Sequence, residues 1–322
     1  MTFAVSIHSQ LVSYLNILTQ YYKEYTKYQY PNIQPLINRN PIELRPSKEF
    51  VGETLGTFLL VLFGCGSVAV SVLFNAYQGI MQIALAWGIG VTLSIYLTRH
   101  LSCAHLNPAV SLAMVISKRM SVRKLPVYLI AQFTGAFLAG IALYLLFSPS
   151  ISAFESTHNI IRGTAESVQT AKMFGEYYAA PGSTAVVSLP LAIGAEAFGT
   201  FVLLLMIFAL TEGCNVGRPH DAMAPLFIGL TVSSIICLIA PLTQAGLNPA
   251  RDFGPRMVAW VTGWGDAAFP DQSGGFFLAY ILGPLLGGTI AALFFINVLE
   301  PAMKRSSVKC DCDCENNQSS IN

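Results

Sequence analysis

The sequence predicts an all-α membrane protein with six transmembrane helices and two re-entrant half-helices arranged as an inverted repeat. Three observations carry that prediction: the composition, six apolar stretches of bilayer length, and the tetrapeptide Leu-Asn-Pro-Ala written twice, at Leu106 and Leu247. Of the 322 residues, 53% are hydrophobic and only 11% charged, with mean hydropathy +0.56. Soluble domains carry about 25% charged residues. The net charge of +1 gives no basic footprint for nucleic acid. Seven cysteines (Cys65, Cys103, Cys214, Cys237, Cys310, Cys312 and Cys314) follow no spacing of a secreted disulfide framework. His8, Ser9 and Gln10 interrupt the first apolar run, so no signal peptide is read.

Crossing a bilayer takes about 20 apolar residues. Stretches near 50–73, 79–98, 125–147, 189–211, 222–241 and 275–298 meet that length. Each Asn-Pro-Ala falls after a span, the second and the fifth. A short apolar run follows each, Val110 to Ile116 and Phe253 to Val261, too short to span and suited to a half-helix. Residues 1–48 read as an N-terminal tail with six tyrosines between Tyr14 and Tyr30, and 301–322 as a C-terminal tail. The membrane domain is 49–300: a first repeat over about 49–147, an extracellular loop over about 148–188, and a second repeat over about 189–300.

The repeat is visible in three places. "ETLGTFLLVL" from Glu53 returns as "EAFGTFVLLL" from Glu196, and "AQFTGAFLAG" from Ala131 as "AYILGPLLGG" from Ala279. Asn107 returns as Asn248, 141 residues on. Three spans per half is an odd number, so the second half inserts upside down and the shared elements meet at the midplane. Lys and Arg then set the orientation. The N-terminal tail, the second-to-third connection (Arg99, Lys118, Arg119, Arg123, Lys124), Arg218 and the C-terminal tail share one side, against Arg162, Lys172, Arg251 and Arg256. Both termini are expected in the cytoplasm.

Asn followed by Pro opens a helix well: Asn caps it, and Pro at the first position sacrifices no hydrogen bond. Two such openings meeting at the membrane centre put positive potential at one spot and leave Asn NH2 donors facing a lumen. Irregular backbone at that depth is allowed only where it lines a wet cavity. Carbonyls at Cys103, Ala104, His105, Thr243, Gln244 and Ala245 are expected to form a ladder of acceptors. Such a path suits small neutral molecules and is hostile to cations and protons.

"SCAHLNPAV" and "GLNPARDFGPR", with the repeated Glu-x-x-Gly-Thr-Phe, resemble the major intrinsic proteins, the aquaporins and glycerol facilitators, over about 45–300. The resemblance implies the aquaporin fold, a homotetramer with one pore per subunit, and pore motifs at Asn107, Pro108, Ala109, Asn248, Pro249 and Ala250. It implies a selectivity filter of Trp87, Ile236, Ala245 and Arg251. Trp87 matches the glycerol facilitators, and no histidine narrows the filter as in water-selective members. Asp252, expected to pair with Arg256, marks the glycerol branch with it. Ile236, Ala245 and Tyr280 depart from that branch, which usually carries Gly, an aromatic and Pro there. Trp87 is expected to offer an apolar face to a carbon chain, with Arg251 donating to hydroxyls from the other side. Glycerol and water, with urea and other polyols, are the implied solutes, and lipid the surroundings, most simply a plasma membrane.

The buried acids Glu53 and Glu196 keep a second class of function open, a proton-coupled carrier. The resemblance instead implies scaffold acids that accept hydrogen bonds from half-helix backbone. A water-selective channel is the other alternative. "GCGSVA" at Gly64 imitates a dinucleotide fingerprint but lies inside an apolar span, so it reads as helix packing. His105 is expected to bond nearby backbone, and Asp221 to cap the fifth span. "CDCDC" reads as part of the tail, and "NQS" at Asn317 as an unmodified cytoplasmic sequon. No residue constellation points to an enzyme, a cofactor or a metal.

Overall fold

The structure, a computed structural model, describes residues 46–77, 79–178, 184–269 and 274–305. The tyrosine-rich stretch, the Cys310–Cys314 run and Asn317 lie outside the described residues. Among the described residues every regular element is helical. In chain order the longer α-helices are α1 (Lys48–Phe74), α2 (Ile80–Ser102), the half-helix α3 (Pro108–Ile116), α4 (Leu125–Thr157), α5 (Leu189–Thr211), α6 (Ala224–Thr243), the half-helix α7 (Pro249–Ala259) and α8 (Gly283–Phe294). α8 is the middle of a longer span, Phe277–Arg305, with π-helical turns at Phe277–Leu282 and Phe295–Leu299. Six helices among the described residues are therefore long and apolar enough to cross a membrane.

Local chemistry explains the helix starts. Ser47 caps α1 by accepting from the Phe50 amide at 3.2 Å. Proline stands in the first turn of α4, α5 and α6, where its missing N–H would have been unpaired anyway. Side chains such as Ile89, Leu145 and Leu238 lie more than half exposed on the outer surface, as lipid-facing residues must.

Packing follows the repeat. The two second helices, α2 and α6, touch through Gly88 and Gly229, where a Cβ on Gly88 would lie 3.1 Å from the Gly229 carbonyl carbon. Each half-helix then docks on the third helix of the other repeat. α7 lies against α4, where a Cβ on Gly254 would come 2.7 Å from the Phe137 amide nitrogen. α3 lies against α8, where a Cβ on Gly288 would come 3.1 Å from the Ala109 carbonyl oxygen.

Several boundaries differ from the sequence reading. α4 runs to Thr157, through Ser148 and Pro149, which read as the start of a loop. The extension holds because Ile151 is fully buried and Glu155 is anchored by Arg162 Nε at 2.9 Å. The last span continues as helix to Arg305, into the segment assigned to the tail. Both half-helices begin at the proline of the motif itself. Asp221 does not cap the fifth span: α6 starts at Ala224 after Met223, and Asp221 pairs with Arg218 while its carbonyl accepts from Arg99. Arg251 and Arg256, counted with one face from sequence, are buried inside the helical bundle.

Candidate functional site

The site is built from two strained turns. Cys103, Ala104 and Leu106 have φ of 68°, 52° and 54°, and Gln244, Ala245 and Leu247 have 64°, 63° and 57°. The same three positions in each repeat are left-handed, a conformation that costs a non-glycine residue roughly 1 kcal/mol or more. Two buried carboxylates hold them there. Glu53 accepts from the His105 amide at 2.9 Å and the Leu106 amide at 2.7 Å. Glu196 accepts from the Gly246 amide at 2.9 Å and the Leu247 amide at 2.6 Å. Both side chains are fully buried, and neither borders the central cavity. The backbone they bind is the segment entering each half-helix.

The two asparagines meet between the turns. Asn107 Oδ1 accepts from the Ala109 amide at 2.8 Å, and Asn248 Oδ1 from Ala250 and Arg251 at 3.0 and 3.2 Å. Each then reaches across the repeat: Asn107 Nδ2 donates to the Leu247 carbonyl at 3.0 Å and Asn248 Nδ2 to the Leu106 carbonyl at 2.7 Å. One N–H of each amide is thereby engaged, where the sequence reading left both facing the lumen.

A cavity of about 510 Å³ runs past these asparagines, from Trp87, Ile236, Ala245 and Arg251 at one end to Arg99 and Arg119 at the other. Leu60, Val91, Leu203, Ile207, Ile228 and Val232 make much of its wall apolar. The opposite stripe is the strained backbone of Cys103, Ala104, His105 and Leu106 with Ala245, Gly246 and Leu247. The expected ladder needs correcting at its second half. Thr243 ends α6, is fully buried, and its carbonyl accepts from Tyr280 Oη at 2.9 Å. Gln244 does not border the cavity, and its side-chain oxygen accepts from the Tyr177 amide at 2.7 Å. Carbonyls leave the α6 axis only after the left-handed turn at Gln244, so the acceptor stripe begins later.

At the Trp87 and Arg251 end the arrangement also differs from expectation. The Arg251 guanidinium stacks on the Trp87 ring, 4.0 Å from its centroid, so the two form one wall and not two facing ones. A desolvated guanidinium gains from an aromatic face, and Gly64 leaves that ring its space on the far side. The counter-ion is Glu176, paired with Arg251 and buried with it. Burial raises the Glu176 carboxyl above the usual carboxylate range, and Arg251 opposes that rise only in part. Sequence reasoning missed Glu176; its signal was the aromatic cluster Phe174 to Tyr178 inside an otherwise polar linker.

Asp252 and Arg256 fix that linker to α7. Arg256 donates to Asp252 through Nε at 3.1 Å and Nη2 at 2.9 Å, and to the Glu176 carbonyl at 2.6 Å. Asp252 Oδ1 accepts from the Glu176 amide at 2.7 Å. The Arg256 guanidinium also donates to the Ala268 carbonyl. Farther out, Arg162 lies 4.0 Å over the Trp264 ring and donates to the Thr262 carbonyl at 3.0 Å. His105 bonds Ser111 Oγ through Nδ1 at 3.2 Å, a side chain where nearby backbone was expected. Among the described residues no cluster of His, Cys, Asp or Glu could hold a metal.

The comparisons fit this geometry. The family model described as major intrinsic protein matches residues 42–295. The chain is 40% identical over 246 residues to the glycerol uptake facilitator protein of Pseudomonas aeruginosa, covering 75% of this chain and 85% of the relative. It is 36% identical over 265 residues to the propanediol uptake facilitator of Citrobacter freundii, covering 81% of this chain and 95% of that one. The X-ray structure of the aquaglyceroporin from Plasmodium falciparum superposes with a TM-score of 0.68 at 27% identity, covering 80% of this chain and 98% of the other. The chain belongs to the major intrinsic protein family.

Proposed function

We propose that the chain is a passive channel for glycerol and other small uncharged solutes, with some water permeability, that excludes protons and ions. The carrying observation is the cavity itself: one apolar wall, one stripe of carbonyls, and two helix-capping asparagines between them. A polyol has the matching chemistry, a carbon face and a hydroxyl edge. The names of the two bacterial relatives point the same way. A proton-coupled carrier needs titratable carboxylates on its path, whereas Glu53 and Glu196 stand behind the pore wall, tied to backbone amides. Swelling of proteoliposomes in glycerol tests the proposal; water flux without glycerol flux would overturn it.

The filter of Trp87, Ile236, Ala245 and Arg251 sets the solute range in this reading. Ala245 puts a methyl group where an aromatic ring would narrow the opening, and Ile236 takes back part of that space on the adjacent wall. Apolar burial contributes roughly 25 cal/mol per Å², so the missing ring face weakens preference for glycerol by about 1–2 kcal/mol. Urea and larger polyols are expected to pass beside glycerol. Ala245→Phe is expected to lower the urea-to-glycerol flux ratio, and Ile236→Gly to raise flux of bulkier solutes. Stopped-flow measurement with matched protein content checks both; an unchanged ratio in both variants removes these positions from the constriction.

Glu176 adds a pH dependence. Its carboxyl takes up a proton at higher pH than an ordinary glutamate, and Arg251 then loses its counter-ion. Lowering pH toward the usual carboxylate range is expected to change the urea-to-glycerol ratio. Glu176→Gln is expected to hold the low-pH ratio at every pH, and an identical pH profile in that variant would remove Glu176 from the filter.

The orientation follows the cations. Lys48, Arg99, Lys118, Arg119, Arg123, Lys124, Arg218 and Lys304 gather at the face where α1 starts and α8 ends, and with Arg251 and Arg256 buried the other face keeps Arg162 and Lys172. That asymmetry supports a reading with both termini in the cytoplasm, and the plasma membrane is the membrane proposed. The apolar outer surface serves lipid and the neighbours of a homotetramer.

A further inference from the structure

We propose that Glu53, Gln132 and Ser111 fix the tautomer of His105, so that its neutral ring carries the proton on Nε2 and offers a hydrogen-bond donor to the passing solute. The inference rests on the cavity being the permeation path, and it adds a side-chain donor at a residue whose backbone already borders that path, outside the filter and the paired asparagines.

Glu53 accepts backbone N–H groups on both oxygens, so it acts as an acceptor. Gln132 Nε2 lies 2.7 Å from Glu53 Oε2 and 2.9 Å from Ser111 Oγ, which uses both of its hydrogens. The opposite amide orientation would set the Gln132 carbonyl oxygen against the carboxylate. In the orientation present, that oxygen has no hydrogen-bond partner, as expected when the amino end is at the polar cluster. Ser111 Oγ accepts from Gln132, so its own hydrogen goes to the remaining acceptor, His105 Nδ1 at 3.2 Å. A neutral imidazole that accepts at Nδ1 is protonated at Nε2.

His105 borders the cavity one residue before the Leu106 carbonyl that Asn248 binds. Its ring leans on Tyr128, with centroids 4.8 Å apart, and Tyr128 Oη donates to the Ser102 carbonyl. Nε2 is absent from the enclosed, unpartnered atoms among the described residues. His105 borders the cavity, and in this reading Nε2 faces it, beside a stripe made of acceptors. The second repeat has no counterpart. At the positions 141 residues on, Gly246 stands for His105 and Asp252 for Ser111, while Tyr280 stands for Gln132 in the aligned segment. The donor is thus on one side of the midplane only, between Asn107 and the arginine-lined mouth.

Nitrogen-15 NMR of the full chain in lipid bilayers, with labelled histidine, tests this directly. The His105 signals are assigned by their loss in His105→Asn. The expected result in the unmodified protein is a pyrrole-type shift for Nε2 and a pyridine-type shift for Nδ1. A protonated Nδ1 overturns the proposal whatever the variants do. In Ser111→Ala the preference is expected to relax to a mixture, with Ser111→Thr restoring it; an unchanged tautomer in Ser111→Ala overturns the positioning role. Losing one neutral hydrogen bond is expected to lower glycerol flux relative to water about two- to tenfold in Ser111→Ala. The expected tautomer with an unchanged flux ratio would overturn the donor role. If the unmodified chain passed no glycerol, the channel reading would fail while the tautomer measurement still stood.

Discussion

Replacing Asn248 with aspartate is expected to make the pore leak cations and to cut solute flux while leaving the protein folded. The carboxylate can still accept from the Ala250 and Arg251 amides, as Oδ1 does now. A negative charge at a helix N-terminus is also favourable by about 0.3–1 kcal/mol, so the cap survives. What is lost is the donor to the Leu106 carbonyl, held at 2.7 Å. An acceptor left facing an acceptor costs roughly 1–3 kcal/mol, which corresponds to about a 5- to 150-fold fall in flux if it falls on the barrier. The second change is electrostatic. Two half-helix N-termini and the amide donors make the meeting point positive, and a formal negative charge there reverses the sign that repels cations. Asn107→Asp is expected to act in the same direction, because Asn107 donates to the Leu247 carbonyl in the same way. Ion leakage into dye-loaded vesicles and glycerol swelling, measured on the same preparations, check both effects. Unchanged leakage and unchanged flux would show that the midplane assignment is wrong.

Asp252→Ala is expected to cost about 3–5 kcal/mol of stability, the usual consequence of stripping one partner from a buried ion pair. Asp252 is fully buried and Arg256 nearly so. Without the carboxylate, Arg256 keeps the Ala268 and Glu176 carbonyls but loses its counter-ion, and the Glu176 amide loses its acceptor. The double variant Asp252→Ala, Arg256→Ala is expected to cost less than the two single losses together, because no charge is then left buried alone. Denaturation of purified protein in lipid-like detergent, all variants in parallel, supplies the cycle. Additive losses would mean that the pair is not coupled. The same loop carries Glu176, so Asp252→Ala is also expected to disturb the filter more than its distance in sequence from Trp87 implies.

What could be read from the chain divides along physical lines. Spans, half-helices and the inverted repeat are local or periodic signals, set by apolar length and by Asn-Pro at a helix start. Glu53 and Glu196 stood out because an acid inside an apolar run is costly unless something binds it. The α4 boundary was missed for the opposite reason: Ser148 and Pro149 are poor helix residues, and the contacts that override them, Glu155 with Arg162 and the burial of Ile151, come from the fold. Glu176 could not be matched to Arg251, 75 residues away, because no periodicity joins a loop acid to a half-helix base. The stacking of Arg251 on Trp87 was hidden likewise, since spacing gives the position of a side chain and not the direction it takes. In the second half the acceptor stripe was placed early, because only the left-handed turn at Gln244 decides where carbonyls leave the α6 axis.

The exchange of half-helices between repeats constrains how the molecule is made. Chain synthesis delivers α1 to α4 first, yet α3 has its docking surface on α8, the last span to emerge. The Leu106 carbonyl waits for Asn248 at the start of α7, and α3 waits longer still, for α8. The carboxylate of Glu53 and the amide of Gln132 lie within the first repeat, so they can hold the first turn in shape during that interval. The polar cluster behind the pore wall thus serves the nascent chain before it serves the finished one. The cavity draws its lining from both repeats, as far as Arg251 at the start of α7, so a chain that stops at α4 holds only part of its wall.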